Sequence, residues 1–247
     1  MLGSVNHRLQ LICVWSAPVF VVVYGTFMLN VAGFIPPISP LLTPEQLGEL
    51  FAHDRFRIRL GQIGMMVTST LLFPYFAVIS AQIRRIELAR PGNSPVLAPM
   101  QFGAGTLLVV YFQLCSMVWL IASYREDLDI GTLRLLNDGA WLMFVMVFAG
   151  YVLQLLCVAI AGFADKSADP VWPRWAAYLN LWVAIGPPFG GIAVFFKTGP
   201  FAWNGVLGFY LPVGVFLIWL VAMTTLMHKG IKRQASAVPA SEPELVA

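Results

Sequence analysis

Six apolar stretches constrain this chain more than any other feature: Leu9–Asn30, Leu60–Ile83, Met100–Tyr124, Ala140–Phe163, Trp175–Phe196 and Gly205–Met227. At about 1.5 Å of rise per residue, each is long enough as a helix to cross a hydrocarbon layer of roughly 30 Å. No water satisfies the backbone inside that layer, so its hydrogen bonds close either within helices or within a sealed barrel. The alternating strands of about ten residues that a barrel requires are absent from the sequence. The expected fold is therefore an all-α integral membrane protein, a six-transmembrane-helix bundle. Composition agrees, since only 11% of residues are charged, roughly half the fraction of an ordinary soluble domain.

The division of the chain follows. Residues 1–233 form one polytopic membrane domain with no internal repeat. Residues 234–247 are rich in Ala, Ser, Pro and Glu and are expected to be a disordered cytoplasmic tail. The first stretch follows Arg8 as a secretory signal would. Its apolar run is too long for such a signal and no small-residue cleavage site precedes "GFIPPISP", so it is expected to remain as an anchor. Cations set the orientation. With the amino terminus inside, nine fall on that side (Arg8, Arg84, Arg85, Arg90, Lys166, Arg174, Lys229, Lys232, Arg233) against six outside (Arg55, Arg57, Arg59, Arg125, Arg134, Lys197). The positive-inside rule then places both termini in the cytoplasm, in a cell inner membrane.

The first external loop carries a helix start. Thr43 and Gln46 stand at capping-box spacing, Pro44 fits the first helical position, and Glu45 and Glu49 suit the positive end of a helix dipole. Leu47, Leu50 and Phe51 share a face, so this short helix should lie along the interface. Rings near the segment ends, Trp172, Trp175, Tyr178, Phe201 and Trp203, read as an interfacial belt.

Residues that bear chemistry are sparse. The acidic residues sit in loops or near helix ends, the three histidines stand apart, and Cys13, Cys115 and Cys157 read as small apolar packing residues. Neither a metal site nor a cofactor is expected, and nothing points to nucleic acid. Arg125 and Asp129, like Arg134 and Asp138, have the spacing of exposed ion pairs. What remains is neutral polarity inside the apolar stretches: Gln62 and Ser69, Gln113 and Ser116, Gln154, and Asn180. Amides are costly in hydrocarbon unless paired, so these side chains should face the bundle interior, either as interhelical glue or as the lining of a ligand cavity.

The fifth stretch contains Pro187 and Pro188 between Gly186 and Gly190. Two missing donors and two rings break or kink a helix, and the freed carbonyls either face a solute or accompany a bend that seats a neighbouring helix on the glycines. The candidate ligand-binding residues are thus Gln62, Ser69, Gln113, Ser116, Gln154, Asn180, Pro187 and Pro188. Three functions fit the pattern. The best match is a non-catalytic membrane component, an accessory subunit or a binder of a lipid-like small molecule, whose partners are the lipid bilayer, other membrane subunits or an apolar small molecule. The second is a passive transporter or channel for a small neutral solute. The third is an intramembrane enzyme on an apolar substrate.

Overall fold

A computed structural model of the chain describes residues 2–89 and 92–236. Helix makes up 78% of the structure, and no strand occurs among the described residues. Six helical spans are long and apolar enough to cross a membrane: Asn6–Val31, Arg55–Leu88, Leu97–Tyr124, Ile130–Ala164, Arg174–Phe195 and Val206–Ser236. The protein is therefore a six-helix membrane bundle. Its elements are α1 (Leu2–Thr26, continued by a π turn Phe27–Val31), α2 (Pro44–His53), α3 (Arg55–Ser69), α4 (Leu72–Leu88) and α5 (Leu97–Tyr124). They continue with α6 (Ile130–Val145), α7 (Phe148–Ala164), α8 (Arg174–Val183), α9 (Pro188–Ile192) and α10 (Leu211–Ser236, entered through a π turn Val206–Tyr210).

Three spans are interrupted, each in its own way. Between α3 and α4, the hydroxyls of Thr68, Ser69 and Thr70 donate to carbonyls of their own helix (Gly64, Met66 and Val67), and Pro74 follows in the next turn. Hydroxyl back-bonding and a proline both loosen the i→i−4 ladder, so a bend falls there. In the fifth span the helix tightens after Val183, loses two donors at Pro187 and Pro188, and restarts as α9. The fourth span breaks at Met146 and Val147, where nothing in the sequence announces it. Packing supplies the reason. Gly190 of α9 lies so close to the Val145 carbonyl that a Cβ would come within 2.2 Å of the oxygen, and Gly191 lies under the Phe148 ring. The two broken spans meet at their breaks.

Polar contacts fasten the face that carries the chain ends. Gln82 of α4 bonds Gln10 of α1 at 2.7 Å and Gln234 of α10 at 2.8 Å. The Glu87 carboxylate accepts the backbone N–H groups of Val96, Leu97 and Ala98, which caps α5 with a negative charge at the positive end of its dipole. Arg233 reaches Asp169 at 2.7 Å and so ties α10 to the loop before α8. Because α10 runs to Ser236, residues 234–236 are helical; the remainder of the expected tail, 237–247, lies outside the described residues.

On the opposite, distal face, α2 begins at Pro44 with both halves of the capping box formed and with Leu47 and Phe51 buried. Three expectations need correction. Trp172 and Trp203 are buried rather than interfacial, and the Trp203 indole donates to the Ile38 carbonyl at 2.8 Å; Trp175 and Tyr178 are exposed as a belt requires. Asp129 does not pair with Arg125. It caps α6 by accepting from the Thr132 backbone N–H at 2.9 Å, because Arg125 and Asp129 sit in the connection before that helix starts. Asp138, expected near a helix end, is half-buried two turns inside α6.

Candidate functional site

Near the termini face α1 packs against α10, with the Trp15 and His228 rings meeting edge-on at 5.9 Å. The pair still touches at Phe20 and Phe216, 6.5 Å apart. Beyond that level a cavity of about 370 Å³ opens between α1, α5, the α6–α7 break and the last span. That size lies within the range typical of small-molecule sites.

The wall is aromatic and continuous. Ring centroids run from Phe20 to Tyr24 at 4.9 Å, from Tyr24 to Phe112 at 5.5 Å, from Phe112 to Phe144 at 5.5 Å and from Phe144 to Phe209 at 6.1 Å. Tyr151 joins on the other side through Phe216 at 5.4 Å. Separations of this order let rings tilt and pack edge to face, which gives a rigid surface of large apolar area. Ile35, from the loop after α1, also lines the space. One turn of that loop is pinned by Phe34, which is buried against Trp119 and Trp141 at 5.0 and 5.6 Å. Three lining residues, Leu29, Tyr210 and Leu217, are 50, 44 and 38% exposed on the outer surface of the bundle. The mouth of the cavity thus faces the lipid.

Polarity within the wall is confined to hydroxyls. Tyr24 and Tyr151 are buried lining residues whose phenolic oxygens have no hydrogen-bond partner. Leaving such a group unpaired costs about 1–3 kcal/mol, so a native fold keeps it for a reason. The nearby Tyr75 shows the ordinary arrangement, with its hydroxyl 3.4 Å from that of Thr224. Gly25 contributes the open floor on α1: a Cβ there would meet only Leu29, at 4.0 Å.

The eight residues singled out from the sequence occupy different places. Pro187 belongs to the cavity wall, and Pro188 follows it as the first residue of α9. Asn180 is fully engaged, donating to the Ala176 carbonyl at 2.7 Å and accepting from the Trp219 indole at 2.8 Å, which joins the fifth and sixth spans. Gln154 accepts from Gln101 at 3.1 Å while its own amide nitrogen has no partner; Gly105 makes room for it, since a Cβ would come within 2.7 Å of the Gln154 oxygen. Gln62 is buried with both amide atoms unpaired, as is the Ser116 hydroxyl. Ser69 bonds its own helix, and Gln113 is half-buried. These side chains are spread along several helix contacts rather than gathered around one space.

Sequence reasoning passed over Tyr24 and Tyr151. The available signal was local: Phe20, Tyr24 and Gly25 set two rings one turn apart beside a residue with no side chain. Among the described residues, no three His, Cys, Asp or Glu side chains come together as a metal site would require.

Fold and cavity together define a multi-pass helical membrane protein with an apolar chamber open to the bilayer. No protein-family model, curated protein or solved structure matches the chain.

Proposed function

We propose that this protein is a non-catalytic membrane component that binds a lipid-like small molecule in the aromatic cavity. One observation carries the reading: a lipid-facing apolar chamber of about 370 Å³ whose wall holds two buried, unpartnered phenols. The matching ligand has an apolar ring or chain that packs on Phe112, Phe144 and Phe216. It also has a hydrogen-bond-accepting oxygen, a carbonyl or an ether, that accepts a hydrogen bond from the Tyr24 or Tyr151 hydroxyl. Binding is favoured over catalysis because the lining contains no carboxylate, imidazole, amine or thiol able to move a proton or attack a bond near neutral pH.

Gentle extraction followed by mass spectrometry of retained small molecules tests this. Wild-type protein is expected to carry a defined apolar species, and Gly25→Leu, which adds a side chain at a lining position whose Cβ would meet only Leu29, at 4.0 Å, is expected to lose it while remaining folded. Equal retention by the two proteins, or nothing but bulk bilayer lipid in both, would overturn the proposal.

A further inference from the structure

Away from the cavity, the distal face carries a shallow polar depression lined by Ala52, His53, Arg55, Phe56, Arg59 and Glu126. It forms where α2 ends, α3 begins and the chain leaves α5. Its two guanidinium groups are held differently. Arg59 donates to the carbonyls of Ser123 and Tyr124, the last residues of α5, so its cation is fixed at the negative end of that helix dipole. The side chain of Arg55 is only 18% exposed and has Glu126 at 3.3 Å as its counter-ion. That carboxylate is 87% exposed, and the Arg55 Nη1 atom nearest to it is buried without making a hydrogen bond. An exposed, poorly aligned carboxylate is a weak partner for a desolvated guanidinium. The depression therefore offers two arginines and an unused N–H to one loosely held acid.

Below the depression, α3 presents Phe56, Leu60, Ile63 and Val67 to the outside on one face, at successive spacings of four, three and four residues. All four are exposed, and Phe56 lines the depression as well. A cationic notch at the end of a transmembrane helix, continuous with an apolar stripe running into the bilayer, matches a molecule with an anionic head and acyl chains.

We propose that this notch binds the phosphate headgroup of an anionic phospholipid in the distal leaflet, with its chains along the α3 stripe. A phosphate supplies oxygens for the planar guanidinium of Arg55 and displaces Glu126 from it. The site is separate from the cavity and stands whether or not the cavity binds a ligand.

Native mass spectrometry of the full chain in detergent, titrated with phosphatidylglycerol or phosphatidylcholine, tests the assignment. Phosphatidylglycerol is expected to be retained preferentially, Arg55→Gln to weaken its retention on the order of tenfold, and Glu126→Gln to strengthen it by removing the competing carboxylate. Glu126 is exposed on a connection, so its variant reads out the site even if Arg55→Gln folds poorly. Inorganic phosphate in excess is expected not to displace the lipid. Displacement by inorganic phosphate would reassign the notch to free anions, and equal retention of both lipids, or weaker retention by Glu126→Gln, would overturn the proposal.

Discussion

At the termini face, α1 and α10 are joined through Gln82, which bonds Gln10 and Gln234 together; several turns away the same two helices are parted by an aromatic chamber with two phenols left unpaired. Between these two helices the termini end pairs its amides with each other, and the chamber leaves its two phenols unpaired. In a medium without a hydrophobic drive between helices, interhelical hydrogen bonds and close packing hold a bundle together. The fastened end can therefore carry the association of the two helices, which frees the distal end to remain open.

The contrast can be broken most sharply at two glycines. Gly230 lies on α10 at the fastened end, where a Cβ would stand 2.8 Å from the Val171 carbonyl oxygen. Gly230→Leu is expected to destabilise the bundle by about 3 kcal/mol, as overpacking against fixed backbone does. Gly25→Leu, at the open end, is expected to cost nothing and to gain up to about 1 kcal/mol from helix propensity. Thermal unfolding in detergent compares them, and equal losses would erase the distinction between the ends. Next in size is Glu87→Ala, which strips three backbone N–H groups of their acceptor at the start of α5 and should cost about 2 kcal/mol in the same assay.

A subtler pair is Gln82→Leu and Tyr24→Phe. The first removes bonds that are made and is expected to cost about 0.6 kcal/mol per bond, the usual worth of an interhelical hydrogen bond in a membrane protein. The second removes a hydroxyl that makes no hydrogen bond; stability should hold or rise slightly while retention of the proposed apolar ligand falls. A loss of stability from Tyr24→Phe as large as that from Gln82→Leu would show that the phenol already has a structural partner.

The smallest effect belongs to α2, on the distal face but with no residue in the chamber wall. The Glu45 carboxyl is held below the usual carboxylate range by its own backbone N–H and by the Thr43 hydroxyl. A depressed value means stabilisation that is complete above the unfolded glutamate range, about pH 4.3, and is lost as pH falls through the folded value. Helicity of α2 should weaken only at that acidity, and Glu45→Gln should flatten the response; a change centred near pH 7 would point to another group.

Hydropathy made the spans legible, because a chain in lipid must satisfy its backbone locally and each crossing leaves a long apolar run. The capping box at Thr43 and Gln46 was equally legible, since its partners are three residues apart. So was the break at Pro187, which follows from missing donors. The break at Met146 was not, because its cause is the close packing of Gly190, about forty-five residues later in the chain, on the Val145 carbonyl. Span ends were blurred for a related reason. Arg55, Arg57 and Arg59 look like loop residues by charge, yet they lie within α3, where Arg59 caps α5. The cavity was hidden most completely. Nothing in a list of apolar residues says which rings surround an unfilled space, and Asn180 and Gln154 drew notice as rare amides although the chamber is walled by common aromatics.

The loop pinned by Phe34 bears on how the chamber is reached. With that ring buried between Trp119 and Trp141, and with Ile38 tied to Trp203, the segment over the chamber is fixed in place by packing and a hydrogen bond. A ligand bound as proposed would then enter from the side, past Leu29 and Leu217, which line the chamber and are exposed on the outer surface. An occupant arriving by that route searches in two dimensions. Its rate of capture is set by its mole fraction among the surrounding lipids rather than by its concentration in water, and diluting the membrane with inert lipid should slow loading even when the total amount of ligand is unchanged.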